Sequence, residues 1–350
     1  TSVRAIAALP ATRQAVGRGA VTTPDARWGF LLGCIAVYLL AAVGRLHQLF
    51  PAFGLLRPTM LSALLALLCI ALDGRAIARS RDAFRSSVVQ RMAALVIWAG
   101  LSIPVALYPG GAFETVVNGL VKSLAMLFAI TVAVRGSRDV QRLALVLFVM
   151  VSTFATYVLL RFDIEPANSR FAALVYYDAN EFALLAVMSI PFGAYVAWRA
   201  KSSIVRVVVG VAIGLTFIAF VKCGSRGGVL AMACMLLFMV VRLRMIKLRY
   251  RVGGLALIRG VFALTASEAF WKRFDSVVET EDDYNITSPT GRLQVWKRGI
   301  GYMIQRPILG VGAGNFATAE GTLSEYAQRS RSFTYGFKWS VSHNSYVQVG

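Results

Sequence analysis

Apolar runs recur along this chain at about residues 28–46, 51–73, 92–108, 116–134, 143–161, 180–198, 203–222, 227–241 and 253–268, and another begins near 341. As a helix, a run of about 20 such residues is long enough to cross the hydrocarbon layer of a bilayer. Nine runs in 350 residues leave no room for a separate water-soluble core. Composition agrees: 57% of the residues are hydrophobic, 15% are charged and the mean hydropathy is +0.64, against about 25% charged in an ordinary soluble domain. The expected fold is an all-α integral membrane protein, a polytopic helical bundle with one long loop domain on the outer side.

The net charge of +20 would suit a nucleic-acid binder, but its distribution points elsewhere. With a cytoplasmic N-terminus, the inner segments carry Arg4, Arg13, Arg18 and Arg27, then Arg75, Arg79, Arg81, Arg85 and Arg91, then Arg135, Arg138 and Arg142, then Arg199, Lys201 and Arg206, and finally Arg242, Arg244, Lys247, Arg249 and Arg251. The short outer loops hold only Arg45, Arg161, Arg170, Lys222 and Arg226. This is the asymmetry that sets orientation in membrane proteins. It attracts anionic lipid and calls for no nucleic acid.

The resulting organisation is a cytoplasmic tail over 1–27, a transmembrane bundle of about nine helices over 28–268, a periplasmic loop domain with an amphipathic helix over 269–340, and the start of a further transmembrane helix over 341–350. The chain begins at Thr1 and its last residue, Gly350, falls inside a resuming apolar pattern, so both ends are expected to be fragment boundaries and the last span to be truncated. No signal-peptide pattern stands in the first 26 residues. Cys34, Cys69, Cys223 and Cys234 lie in or beside apolar runs without metal-ligand spacing and read as small hydrophobes.

Chemistry is expected on the long polar loop, because structureless loops beyond about 15 residues are uncommon unless functional. Within it, "SPTGRLQVWKRGIGYMIQRP" predicts a helix with Ser288 as a capping-type residue, apolar Leu293, Trp296, Ile300, Met303 and Ile304 at helical spacing, and Pro307 as its stop. Its apolar side should lie on the membrane, with Arg292, Lys297, Arg298 and Arg306 lining the remaining surface. "GVGAGNF" then reads as a tight turn; it follows a helix rather than a strand and lacks the Gly-Lys-Ser/Thr of a nucleotide loop. Gly210 and Gly214 have the small-xxx-small spacing of close helix packing.

Four groups of residues could carry a reaction. Arg226, in "KCGSRGG", stands at the outer end of the seventh run, either as an interfacial anchor or as an anion clamp at a helix N-terminus. Arg292 is by itself an ordinary surface arginine, and beside Arg226 becomes half of a two-arginine site. Asp178 and Glu181 fit a polar helix start without function. His343, in "SHNSY", has no Asp, Glu or Cys at ligand spacing, so a metal is not expected; a neutral imidazole at the membrane surface is a suitable acceptor for a hydroxyl proton.

Three motifs in order, "GSRGGVLAM", "GRLQVWKRGIGYMIQRPILGVGAGNF" and "HNSYVQ", resemble the bacterial O-antigen ligase and O-antigen polymerase superfamily, over about Tyr177 to Gly350. The resemblance implies a metal-independent, inverting transfer without cofactor in the bacterial inner membrane, with the active site facing the periplasm. The glycan would move from undecaprenyl pyrophosphate to an acceptor hydroxyl, a lipid A core sugar in the ligase branch. It implies that Arg226 and Arg292 hold the pyrophosphate and that His343 is the catalytic base. A glycan polymerase or a protein O-oligosaccharyltransferase would share that donor site. A polysaccharide exporter is the reading from another class; it should show repeats and charged mid-membrane helices, and only Lys122 and Arg259 are mid-span basic residues.

Overall fold

The computed structural model describes residues 28–45, 51–161, 177–242, 288–325 and 340–344, together with 253, 255–256, 259–260, 262–263 and 347. Among the described residues every regular element is helical. In chain order those of seven residues or more are α1 (Phe30–Ala42), α2 (Pro58–Leu72), α3 (Gly74–Phe84), α4 (Ser87–Leu101), α5 (Pro109–Ala133), α6 (Ser137–Arg161), α7 (Ala179–Arg199), α8 (Ser203–Lys222), α9 (Arg226–Arg242), α10 (Arg292–Gln305) and α11 (Phe316–Thr322). Five stretches are long and apolar enough to cross a membrane: Ser87–Val105, α5, α6, α7 and α8. The pair α2 and α3 passes the same test together but bends by 100° at Asp73. The chain is a multi-pass membrane protein. The expected tail over 1–27 and most of the expected ninth span lie outside the described residues.

Two apolar cores build the bundle. One joins α6, α7, α8 and α9 through Phe154, Phe182, Ala186, Phe217, Phe220 and Met232; the other joins α1, α2, α3 and α5 through Leu32, Ile35, Ala66, Ile70, Met126 and Ala129. Contacts of α6 with α1 connect them. Many large side chains face outward, Leu64, Leu68, Val208 and Phe238 among them. Helices apolar all round suit a lipid surround, where outward leucine costs nothing. A Cβ added at Gly193 would meet the Phe148 ring at 2.3 Å, so α7 and α6 touch at a glycine. The expected close packing at Gly210 and Gly214 is not seen among the described residues, where a Cβ at either meets nothing within 4 Å.

The helix starts follow from local chemistry. Pro58 and Pro109 occupy first-turn positions of α2 and α5, where a missing N–H is harmless. Asp178 caps α7, accepting from Asn180 N at 2.7 Å and Glu181 N at 2.8 Å, while the Glu181 carboxylate accepts from Asp178 N at 3.1 Å. That reciprocal box accounts for both carboxylates as a polar helix start. Between Thr115 and Val121 α5 opens into a π-turn, and just past it Lys122 Nζ donates to Asn118 Oδ1 at 3.0 Å.

Contacts sort the polar groups to the two ends of the bundle. At one end Asp139 binds Arg135 and Arg142, both at 2.8 Å, and the Arg142 guanidinium lies 5.5 Å from the Trp28 ring centroid. At the other the loop domain sits on residues 102–115, with Leu107 N donating to Val311 O at 3.0 Å and Ala313 N to Ser102 Oγ at 3.1 Å. The parity read from the sequence puts the far end of the third run, at residue 108, on the same side as the loop domain, and these bonds join the two. With the native cysteines replaced, a cysteine at exposed Gln305 should react with an impermeant maleimide on intact cells, and one at exposed Ser137 only after permeabilisation. The reverse pattern would invert the orientation.

Candidate functional site

The loop domain is organised by a buried ion pair. Glu320 on α11 is fully buried and accepts from Arg298 Nε at 2.9 Å and from Tyr302 Oη at 2.9 Å through Oε1, and from Arg298 Nη2 through Oε2. Arg298 Nη1 donates to Pro289 O at 2.9 Å. One guanidinium thus ties α11 to α10 and to the turn that starts α10. The bonds to Glu320 raise the Arg298 pKa above its ordinary value against the opposing effect of burial, and burial together with the Glu320 charge pushes the Tyr302 hydroxyl well above its own. The sequence placed Arg298 among surface arginines; it is a strut. Ser288 is no cap either. The turn Ser288–Gly291 closes by Gly291 N donating to Ser288 O at 2.8 Å, and Gly291 is the cap residue of α10.

The helix has two apolar sides. Leu293, Ile300 and Ile304 form an exposed stripe, while Val295, Gly299 and Tyr302 are buried on the opposite side against Val311, Phe316, Ala319 and Val347. Of the five apolar residues expected on one side, Leu293, Ile300 and Ile304 form this stripe, whereas Trp296 turns to Ser342; the buried side was unread because two of its three residues are a glycine and a tyrosine. After Pro307 the chain turns through Gly310, Gly312 and Gly314, all at positive φ. A Cβ at Gly312 would meet the Ala106 Cβ at 2.3 Å, and one at Gly314 the Thr115 Oγ1 at 2.3 Å. "GVGAGNF" is a tight turn, as expected, and its glycines let it press against the end of the bundle. Asn315 next to it donates through Nδ2 to Tyr108 O at 3.3 Å.

His343 is exposed and held in a left-handed conformation at φ 48°. Its neighbours are fastened to α10: Trp296 Nε1 donates to Ser342 O at 2.7 Å, and a Cβ on Gly299 would meet Val347 Cγ1 at 2.2 Å. By the helical period, Arg292 shares with Trp296 and Gly299 the face that receives this stretch. Arg292 is exposed and makes no ion pair among the described residues. The structure therefore brings the Arg292 face and the His343 stretch together on one unit.

Arg226 belongs to another set of contacts, the corner where α7, α8 and α9 meet. Ser225 Oγ donates to Asn180 Oδ1 at 2.6 Å and accepts from Gly228 N at 3.0 Å, so it caps α9. Gly228 lets α9 start close to α7, since a Cβ there would lie 2.6 Å from the Ala183 Cβ. Arg226, half-buried, is the first helical residue, where guanidinium and helix N-terminus can act on one anion. Arg45 was read only as an outer-loop charge. Its guanidinium stacks 4.4 Å over the Tyr177 ring beside the same helix start, and only the structure shows it there. Along α9 runs an apolar cleft of about 410 Å³. Val229, one turn from Arg226, is at one end, Phe217, Met232 and Leu236 line it, and Arg259 reaches its wall.

Fold and site define a polytopic helical membrane protein whose polar chemistry gathers at one end, under a loop domain presenting an arginine and a histidine. Residues 211–350, from α8 through the loop domain to the His343 stretch, match the family model described as O-antigen ligase, which places this region in the O-antigen ligase and polymerase superfamily. No curated protein and no solved structure matches the chain. The match covers the C-terminal 140 residues and supports a glycan-processing function of the O-antigen ligase and polymerase kind.

The buried pair gives a stability test. Removing one partner of such a pair costs about 3–5 kcal/mol because the other is left uncompensated. Glu320→Ala should therefore loosen the loop domain, read as rapid proteolysis after Arg298 or Arg306 in the full-length protein in detergent, while Glu325→Ala, at an exposed position, should not. Equal proteolysis of wild type and Glu320→Ala would show that the pair does not hold the domain.

Proposed function

We propose that the protein is an O-antigen ligase-type transferase, moving a glycan from undecaprenyl pyrophosphate to an acceptor hydroxyl, a lipid A core sugar, at the periplasmic face of the bacterial inner membrane. The observation that carries this reading is the docking of the His343 stretch on the Arg292 face of α10 through Trp296. A base and a phosphate-binding cation are then held by one rigid unit at the membrane surface, where two lipid-borne substrates meet. Arg226 and Arg292 bind the pyrophosphate; a guanidinium fork matches phosphate oxygens and stabilises the charge that develops as the pyrophosphate leaves. The neutral His343 imidazole takes the proton of the acceptor hydroxyl. The oxygen attacks the anomeric carbon from the side opposite the pyrophosphate, so a single displacement inverts the configuration. The cleft along α9, opening one turn from Arg226, suits the isoprenoid tail.

Substitutions at the three residues separate donor binding from catalysis. In a full-length protein assayed with undecaprenyl-pyrophosphate glycan, Arg292→Ala or Arg226→Ala should each remove charge-assisted bonds and lower transfer about tenfold to a hundredfold; Lys should restore it only in part. His343→Ala should retain donor binding and lose transfer by about 100-fold to 10,000-fold, the usual worth of a positioned general base. Wild-type transfer by Arg292→Ala removes that residue from the site, and loss of donor binding by a folded His343→Ala makes the histidine a donor ligand instead.

A further inference from the structure

The 100° bend after α2 lays α3 across one end of the bundle. This is the end remote from the loop domain. Phe84 meets the Phe128 ring at 4.6 Å between centroids, and Arg79 Nε donates to Val132 O in the last turn of α5 at 2.9 Å, whereas the first turns of α5 lie against the loop domain. Both ends of α3 are fixed. Asp73 Oδ1 accepts from Arg75 N at 2.9 Å, and Gln90 Nε2 donates to Phe84 O at 3.2 Å.

Around its axis α3 divides into three sectors. Ala76 and Ala83 are buried against the bundle, and Ile77 and Phe84, each one residue further on, are exposed. Arg75, Arg81 and Arg85 are exposed as well, and none of them forms an ion pair among the described residues. At 100° per residue, Arg81 and Arg85 fall directly beside the Ile77–Phe84 sector, with Arg75 further round. An apolar sector bordered by arginines is the arrangement of a helix lying in a membrane interface. The arginines are held at fixed spacing because the helix is clamped at its ends and along one side.

We propose that α3 is an interfacial helix that binds the headgroups of anionic phospholipids through Arg75, Arg81 and Arg85, with Ile77 and Phe84 inserted among the acyl chains beneath them. Charge complementarity selects this occupant: the exposed sector carries three cations against one carboxylate, Asp82. A zwitterionic headgroup would bring its own cation to the same place. The surface lies at the end opposite the Arg292 and His343 unit and does not depend on the reaction assigned to that unit.

The test uses the full-length protein in non-ionic detergent, titrated with dioleoylphosphatidylglycerol or dioleoylphosphatidylcholine, with retained lipid counted by native mass spectrometry and Tm followed alongside. Wild type should retain the anionic lipid in preference and gain Tm from it. The variant R75Q/R81Q/R85Q should lose that preference by up to roughly a hundredfold, since each basic residue near a charged surface contributes about fivefold. Salt at about 0.5 M should weaken wild-type retention in the same direction. Equal retention of the two lipids by wild type, or undiminished phosphatidylglycerol retention by the variant, overturns the proposal. So does displacement of the lipid by millimolar inorganic phosphate, which would make the sector a free-anion site. If the variant fails to fold, the salt series on wild type decides: an anionic-lipid preference that survives high salt is not carried by these arginines.

Discussion

Within the hydrocarbon layer a backbone can satisfy its N–H and C=O groups only inside its own helix, and the rest of this structure follows from that restriction. Helix termini, with their four unpaired groups, must fall at the membrane surfaces, and the polar side chains that satisfy them fall there too. Asp178 and Ser225 cap α7 and α9 at the loop-domain end, and Asp73 caps α3 at the other. The corner that holds Arg226 is built from the same bonds that close helix ends. The anion-binding role proposed for Arg226 would therefore come at small additional cost where helices start together, since their N-termini already favour anions.

The loop domain is fixed in a different way, by contacts that a short polar segment could not make alone. Among the described residues its core is six buried apolar side chains, Val295, Tyr302 and Phe316 among them, and it is supplemented from two directions. The Arg298–Glu320–Tyr302 network binds its helices to each other, and the Gly310–Asn315 turn binds the unit to residues 102–115 of the bundle. Removing either would leave Arg292 correctly placed in sequence and wrongly placed in space. The positioning of α10 thus depends on residues that touch no substrate.

Much of this was legible in the sequence, and the reason differs by feature. Hydropathy marks α5 to α8 well because a membrane helix is apolar on all sides and needs no tertiary information. The α10 helix and the glycine turn were readable from Pro307 and from alternating glycines that tolerate positive φ. What was not legible depends on a distant partner. Arg298 reads as solvent-exposed until Glu320, 22 residues on, is brought beneath it. The basic segment after residue 73 reads as an inner loop, because nothing local announces that α3 is helical and bent across the bundle end. Gly210 and Gly214 have the spacing of a packing motif and no close neighbour among the described residues.

Arginine is the clearest case of what side counting leaves out. Counted by loop, the cations give an orientation and no more. Sorted by partner, they separate into those consumed by the fold and those turned outward. Arg79 holds the end of α5; Arg135 and Arg142 hold Asp139; Arg298 holds Glu320; Arg45 lies over Tyr177. Each of these already has an acceptor or a ring to satisfy it, and a guanidinium engaged in that way has little left to offer a ligand. Arg292 at one end and Arg75, Arg81 and Arg85 at the other are exposed and unpaired within the described fold, on helices whose geometry is fixed by other residues. An unpaired cation on a rigid element is poised for an anion that the chain itself does not supply. At the loop-domain end the proposed anion is the donor's pyrophosphate, and at the opposite end, where an apolar sector lies alongside, it is the proposed lipid headgroup.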